Sequence, residues 1–259
     1  MTSRPFEFTP AGFERLVKAV DAAGYQARTF GEIAAGETPR EKTVLLRHDV
    51  DISMDYAREM ARLENALGMR ATYFLMLRSP LYNLCSRQGM AALRDISDFG
   101  HEVALHFDAE FAAGSGNNIA QQLGFELETL GRLAGTRINA FSFHQPTQEA
   151  IALRLAPEGV VNTYHGEHMA GFEYLSDSNR DWRKDPVETI HGGHAGLQIL
   201  LHPIWWMAQG ATTEDCWDLA IERNFQSAQR QILETERAYG PARELVVRRL
   251  DGGKAGGTE

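Results

Sequence analysis

Apolar, strand-like runs alternate with helix-like stretches along most of this chain. Such alternation favours a parallel β-sheet covered by helices over a β-sandwich or a helical bundle. A length of 259 residues suits one α/β barrel domain. We therefore predict an α/β fold, with one (β/α) barrel domain in residues 1–250 and a disordered Gly-rich tail at 251–259. The predicted strands are 43–49, 71–77, 102–107, 138–143, 160–164, 172–175 and 197–201, and the main helices are 11–23, 54–67, 87–99, 118–133 and 213–239.

Five short segments at the ends of these strand-like runs are rich in side chains that bind metals or move protons. A parallel α/β barrel builds its active site from residues at the carboxyl ends of several strands, which brings distant segments into one pocket. The pattern therefore indicates an enzyme. The segments are LLRHDVD (45–51), HEVALHFDAE (101–110), FSFHQP (141–146), SDSNRDW (176–182) and ILLHPIWW (199–206).

Composition excludes several classes of function. The formal charge of −9 and the absence of a dense basic run in the sequence argue against nucleic acid as a partner. The first residues lack the pattern of a signal peptide, and no run reaches the roughly 18 apolar residues that span a membrane. We therefore expect a cytoplasmic protein without a membrane partner. Cys85 and Cys216 are expected to be reduced thiols.

The first segment places two carboxylates on one wall of the predicted pocket. Side chains two positions apart share a face of a strand, so Arg47, Asp49 and Asp51 project together. Their mutual repulsion would raise one pKa unless a cation lay between them. The pattern favours one metal ligand and one neighbouring base. The alternative is that both carboxylates cap the helix that begins near Ser53.

The second segment offers a histidine and further carboxylates. His106 and Asp108 alternate onto one face of the strand, and Glu110 would follow if the chain stayed extended. An imidazole beside a carboxylate is a partial ligand set for a divalent metal such as Zn²⁺. Taken alone, His106 would more readily be a hydrogen-bonded core histidine. His101, at the other end of the strand, is assigned to that structural role.

The remaining segments add two histidines at strand ends and one acidic turn. His144 and His202 each fall where a predicted strand ends. Asp177 could orient a catalytic histidine, and the indole of Trp182 could form a wall of the pocket. The alternative for SDSNRDW is a surface turn with a side-chain cap.

Taken in order, these motifs resemble those of the polysaccharide deacetylase family of metal-dependent carbohydrate deacetylases, over residues 43–206. The resemblance implies a distorted (β/α) barrel of about seven strands. RHDVD resembles the first motif of the family, which implies Asp49 as the general base and Asp51 as a metal ligand. GHEVALHFDAE resembles the second motif, which implies His106 and Glu110 as ligands.

The departures from the family pattern define the open alternatives. Val50 separates two aspartates that are usually adjacent in the family, and Glu110 stands where a histidine is usual, with Asp108 as a competing ligand. FSFHQP takes the place of an Arg-Pro-Pro motif, so His144 either tunes the base or serves as a third ligand. SDSNRDW resembles the fourth motif, and LLHP resembles the fifth, whose histidine is the general acid, a role that falls to His202.

The resemblance implies hydrolysis of an acyl group, preferably from nitrogen. The expected cofactor is a divalent metal, with Zn²⁺ favoured and Co²⁺, Ni²⁺ or Mn²⁺ as replacements. The expected partner is a small acylated substrate related to a sugar, and self-association stays open. One alternative is an amidohydrolase that acts on a non-sugar amide, imide or formamide, and the other is a non-catalytic carbohydrate-binding relative. Asp177 is a further catalytic candidate, and the candidates for substrate contact are Arg47, Asp108, Trp182 and Trp205.

Overall fold

The computed structural model describes residues 6–35, 42–114, 118–165 and 169–236. Its strands are β1 (Gln26–Arg28), β2 (Thr43–Val50), β3 (Thr72–Leu75), β4 (Glu102–Phe107), β5 (Ala140–Phe143), β6 (Val161–Asn162), β7 (Phe172–Ser176) and β8 (Gly196–Leu201). All of the strand pairs are parallel. Seven strands follow one path in the order β6-β5-β4-β3-β2-β8-β7, and β1 pairs with β2 off that path. The sheet curls into an open barrel, which confirms the predicted fold.

Strand β2 lies in the middle of the sheet and is buried along its whole length. It pairs with β3 on one side and β8 on the other. Because side chains alternate between the faces of a strand, Arg47 and Asp49 face the barrel interior, whereas His48 faces the surrounding helices. There, His48 Nε2 lies 2.7 Å from Glu64 Oε1. The alternation therefore directs the charged side chains of the first motif towards one pocket.

Helices cover the outside of the barrel and bury their apolar faces against the sheet. The helix after β2 begins at a serine, since Ser53 Oγ accepts from Tyr56 N at 3.5 Å. This helix therefore does not depend on Asp49 or Asp51 for its cap, which was the alternative explanation of the two aspartates. The helices are α1 (Pro10–Ala22), α2 (Phe30–Ala34), α3 (Met54–Ala66), α4 (Arg87–Asp98), α5 (Ala109–Gly114), α6 (Ile119–Ala134), α7 (Gln148–Ala152), α8 (Pro186–His191), α9 (Pro203–Met207) and α10 (Thr213–Thr235).

Several short elements were not predicted, and one of them changes the site. The chain turns into α5 directly after Asp108, whose Oδ1 accepts from Phe111 N at 2.9 Å. The chain therefore does not stay extended to Glu110, which was the condition for Glu110 to share a strand face with His106. Strand β1 and the helices α2, α7, α8 and α9 were also missed, because three to six residues are too few to show a periodic pattern. The predicted tail at 251–259 lies outside the described residues.

His101 has the structural role that was expected of it. Its side chain is buried, its Nδ1 accepts from Ala71 N at 3.2 Å and its Nε2 donates to Ala61 O at 2.9 Å. Both ring nitrogens are thus used in holding α3 and β3 against the start of β4. Within the described part of the chain, no helix is both long enough and apolar enough to cross a membrane.

Candidate active site

Three side chains from three segments meet at the carboxyl ends of neighbouring strands. Asp51 follows β2, His106 lies in β4 and His144 follows β5. Asp51 Oδ1 lies 3.0 Å from His106 Nε2 and 3.0 Å from His144 Nδ1, and the two ring nitrogens are 3.3 Å apart. We call these three residues the metal triad, because they form a group that could hold a metal ion.

The spacing and chemistry of the metal triad fit a divalent cation. Zinc bonds to nitrogen and oxygen ligands of about 2.0–2.1 Å place tetrahedral ligand atoms about 3.3 Å apart. The observed separations of 3.0, 3.0 and 3.3 Å lie close to that value. Three protein ligands would also leave a fourth position open, as catalytic zinc sites do. Nitrogen and oxygen donors of this kind suit Zn²⁺ and the other transition metals that were expected.

Asp51 is held in the ionised form that a metal ligand needs. Burial raises the pKa of its carboxyl, but hydrogen bonds with His106 and His144 outweigh burial and hold the pKa well below its usual range. A carboxylate that stays ionised at neutral pH can bind a cation without first losing a proton.

His106 is oriented by a serine on the next strand. Its Nδ1 lies 2.7 Å from Ser142 Oγ, and that hydroxyl donates to Asp49 Oδ1 at 3.4 Å. A hydroxyl that donates to Asp49 accepts from the Nδ1–H of His106, which leaves the lone pair on Nε2 facing the metal triad. Ser142 thereby selects the tautomer that a metal requires.

Asp49 lies beside the metal triad in a buried ion pair with Arg47. Arg47 Nε donates to Asp49 Oδ1 at 2.9 Å and Nη2 donates to Oδ2 at 2.7 Å. Burial raises the pKa of Asp49, but the charge and hydrogen bonds of Arg47, together with the charges of His106 and His202, outweigh burial and lower the pKa below its usual value. Asp49 Oδ2 is also 3.7 Å from His106 Nε2. The ionised carboxylate therefore reaches the edge of the metal triad.

His202 approaches the metal triad from β8 and is held by a buried carboxylate. His202 Nδ1 lies 2.6 Å from Asp177 Oδ1, and Trp206 Nε1 donates to Asp177 Oδ2 at 2.8 Å. The other ring nitrogen, Nε2, is 3.9 Å from Asp51 Oδ2. Burial lowers the pKa of His202, but the charge and hydrogen bond of Asp177, together with the charges of Asp51 and Asp49, outweigh burial and raise the pKa to about 9. The ring is thus protonated at neutral pH and directs Nε2 towards the metal triad.

Two predicted residues lie elsewhere than the sequence indicated. Glu110 is an exposed residue in the first turn of α5, and it is not part of the metal triad. Asp108 caps the same helix by accepting a hydrogen bond from Phe111 N. Its charge still contributes to the raised pKa of His144. The turn after β4 separates both carboxylates from the ligand positions. Of the two alternatives for His144, the ligand position is the one that the geometry supports.

Arg47, Trp182 and Trp205, three of the candidates for substrate contact, pack into the protein. Arg47 is fully buried and bound to Asp49, so it is not exposed to a molecule above the metal triad. Trp182 stacks on Phe8 at 6.1 Å and packs against the core. The ring of Trp205 lies 6.3 Å from the ring of His202. Trp205 is therefore close to the site, but it is buried in the core with 6% of its surface exposed.

Three residues in or beside the site make contacts that were not predicted from the sequence. Ser142 orients His106, Trp206 holds Asp177, and the Tyr164 hydroxyl accepts from Arg47 Nη2 at 3.3 Å. The position of Ser142, two residues before His144 on one strand face, was a usable signal. Tyr164 and Trp206 reach their partners across the fold, and no local pattern indicates such contacts.

Comparison with solved structures gives distant likenesses. The chain is 17% identical to a mutant of BA3943, a CE4 family pseudoenzyme with restored enzymatic activity, with a TM-score of 0.41 over 74% of this chain and 65% of that chain. Wild-type BA3943 from Bacillus anthracis, a CE4 family pseudoenzyme, gives 17% identity and a TM-score of 0.41 over 73% of this chain and 63% of that one. The peptidoglycan deacetylase PdaC from Bacillus subtilis gives 13% identity and a TM-score of 0.41 over 78% of this chain and 100% of that one.

The chain therefore spans slightly less than two thirds of the BA3943 structures that it matches. These structures are of the polysaccharide deacetylase class that the five motifs resemble. No family model and no curated protein matches the chain. All three TM-scores lie below 0.5, and the proposed function rests on the geometry of the site.

Proposed function

We propose that this chain is a metal-dependent amide hydrolase that removes an acyl group from an amino sugar or a sugar conjugate. The observation that carries the proposal is the arrangement of an acid and a base around one metal triad. Asp49 Oδ2 lies 3.7 Å from His106 Nε2, and His202 Nε2 lies 3.9 Å from Asp51 Oδ2. A group that accepts a proton and a group that donates one therefore reach the same small volume.

The residues divide the work of hydrolysis between them. Asp51, His106 and His144 would hold the cation. A divalent metal at such a site polarises a carbonyl group and makes water more acidic. Asp49 is the proton acceptor, because the Arg47 charge keeps its carboxylate ionised at neutral pH. Arg47 and Ser142 position this carboxylate and do not touch the substrate.

His202 supplies the proton that the departing amine needs. An amine is a poor leaving group unless it is protonated as the carbon–nitrogen bond breaks. Asp177 holds the imidazolium through Nδ1 and leaves the Nε2–H free to donate. The contact of Asp177 with Trp206 fixes the direction of that carboxylate. The dyad of His202 and Asp177 therefore acts as the general acid and its positioning group.

The sugar-related substrate is the finer part of the proposal. It is supported by the order of the five motifs along the chain. The rival substrate is a non-sugar amide, imide or formamide, which the same acid, base and metal triad could hydrolyse. A non-catalytic role is less well supported, because side chains suited to act as base, acid and metal ligands lie around one small volume.

The test is a substrate panel with a metal control. The purified protein, stripped of metal and reloaded with Zn²⁺, is incubated with N-acetylated amino sugars, nucleotide-linked N-acetyl sugars, formamides and cyclic imides, and the released acid is quantified. Release from an acetylated sugar that stops on stripping and returns on reloading supports the proposal. Turnover of only the formamides or imides would mean that the substrate is a non-sugar amide or imide. The absence of turnover on every compound of the panel with Zn²⁺ bound would refute catalysis of this kind.

The matched control for this panel is a carboxylate that the structure leaves out of the site. Glu110→Gln removes an exposed charge from α5, so turnover and metal content should stay at the level of the unchanged protein. His144→Ala removes a member of the metal triad and should lower both. Equal losses of turnover and metal content in the two variants would mean that the metal triad does not hold the metal.

A further inference from the structure

Three consecutive backbone carbonyls around Asp51 of the metal triad each accept a hydrogen bond from a side chain elsewhere in the chain. Residues 51–53 lie between β2 and α3 and belong to neither element. Backbone groups outside regular structure need partners from side chains or from water. The three donors are Ser79, Tyr82 and Asn224, and we call them the carbonyl clamp.

Two members of the carbonyl clamp lie in the segment between β3 and α4. Tyr82 Oη donates to Val50 O at 2.8 Å and accepts from Met76 N at 2.8 Å. This hydroxyl therefore joins the last residue of β2 to the residue that follows β3. Ser79 Oγ donates to Asp51 O at 3.0 Å. The two peptide planes on either side of the Asp51 Cα are thus both held, which fixes the direction of its side chain.

Asn224 reaches the same segment from α10. Its Nδ2 donates to Ile52 O at 2.7 Å and to Leu81 O at 3.0 Å. One amide group therefore ties the segment that follows β2 to the segment that follows β3. Leu81 N in turn donates to Ser79 Oγ at 3.1 Å, so the members of the carbonyl clamp also support each other.

Asp51 is the member of the metal triad that most needs such support. His106 lies within β4, and His144 N donates to Phe107 O at 2.8 Å, so the sheet holds the backbone of both histidines. The register of β2 with β3 ends at Val50, one residue before Asp51. The position of the Asp51 carboxylate therefore depends on contacts outside the sheet.

Another residue already attaches α10 to its neighbouring helix. Arg223 forms ion pairs with Asp55 and Glu59 of α3, and its guanidinium group lies 4.7 Å from the centre of the Tyr56 ring. All of these contacts are to side chains of α3. Asn224, the next residue of α10, instead binds the backbone beside Asp51. The two neighbours on α10 thus separate the attachment of the helix from the support of the ligand segment.

We propose that the carbonyl clamp positions Asp51 for metal binding, which makes Ser79, Tyr82 and Asn224 positioning residues of the metal triad. A metal binds the conformation in which its ligand atoms converge, and its apparent affinity falls with the population of that conformation. Removing a donor leaves a carbonyl unpaired and lets the segment of Asp51 leave that conformation. The inference rests on the metal triad of the proposed function, but on neither the substrate nor the reaction.

The test is the zinc affinity of the folded protein, measured by competition with a chromophoric chelator. Asn224→Leu keeps the size of the side chain and removes both of its hydrogen bonds, so the dissociation constant for Zn²⁺ should rise roughly tenfold. The matched control is Arg223→Gln, which removes the ion pairs between α10 and α3. This control should lower the free energy of unfolding in urea and leave the zinc dissociation constant unchanged.

Hydroxyl variants test the other two members of the carbonyl clamp and do not depend on the folding of Asn224→Leu. Tyr82→Phe and Ser79→Ala should each raise the zinc dissociation constant roughly three- to tenfold, and Ser79→Thr, which keeps a hydroxyl, should restore the affinity. Tyr25→Phe is the matched control for Tyr82→Phe, because Tyr25 Oη also donates to a backbone carbonyl, His194 O at 3.0 Å. Its zinc affinity should be unchanged.

The possible failures of this inference and of the proposed function can be told apart. Equal zinc dissociation constants in the unchanged protein and in the variants of the carbonyl clamp would refute the clamp and leave the metal triad standing. An equal loss of affinity in the clamp variants and in their controls would mean that the effect comes from stability, and it would also refute the clamp. The absence of zinc binding by the unchanged protein would overturn the metal triad, and this inference with it.

Discussion

Breaking the buried ion pair between Arg47 and Asp49 should destabilise the protein strongly. The exposed fraction of the side chain is 0% for Arg47 and 4% for Asp49, and two charge-assisted hydrogen bonds of 2.9 and 2.7 Å join them. Removing one partner of such a pair leaves a buried charge uncompensated and typically costs about 3–5 kcal/mol. We therefore expect Arg47→Met and Asp49→Asn each to lower the free energy of unfolding by about 3 kcal/mol or more.

The double variant separates this charge effect from a loss of packing. With both charges removed, no uncompensated charge is left, so the loss should be smaller than the sum of the two single losses by about 2–3 kcal/mol. The assay is urea unfolding of the metal-free protein at pH 7, followed by tryptophan fluorescence. If the two single losses add to within about 0.5 kcal/mol in the double variant, the two side chains are independent and the reasoning is refuted.

The remaining predictions concern the proposed chemistry. Asp49→Asn should abolish turnover but retain most of the metal, because the amide cannot accept a proton. Asp51→Asn should lose both turnover and bound metal. Elemental analysis and a kinetic assay of each variant test this prediction. His202→Ala should lower amide turnover roughly 10²- to 10⁴-fold and affect an activated ester much less, since a good leaving group needs little protonation. NMR titration of metal-free protein should place the pKa of His202 near 9 and lower in Asp177→Asn, where burial remains but the carboxylate charge is lost. This raised pKa also means that His202 stabilises the metal-free fold fully below its unfolded pKa of about 6.5. That contribution should be lost as the pH rises through about 9.

The barrel and the strand-end side chains were predictable because long elements carry their own periodicity. Strand β4 was predicted with the bounds that the structure has, and β2 differed by one residue at its end. Alternation along β2 also predicted that Arg47, Asp49 and Asp51 face one pocket. Parallel strands then bring the ends of β2, β4 and β5 together, which is why Asp51, His106 and His144 meet.

The parts that failed depend on short-range capping or on contacts across the fold. Glu110 was a ligand candidate on the condition that the chain stayed extended past β4, but Asp108 instead caps α5 through Phe111 N. Helix caps and strand extension compete for the same residues, and the sequence does not show which of them forms. Trp206 donates to Asp177 in a different element, and no local pattern in the sequence indicates that contact.

The central claim, that three side chains hold one catalytic metal, is tested most directly by locating the metal. Crystals of the protein loaded with one equivalent of Zn²⁺ are measured on both sides of the zinc absorption edge, and an anomalous difference map is calculated. We expect one strong peak bound by Asp51 Oδ1, His106 Nε2 and His144 Nδ1, the atoms that the structure holds together, with bonds of about 2.0–2.2 Å. A peak that includes Glu110, or a main peak away from these three atoms, would contradict the account.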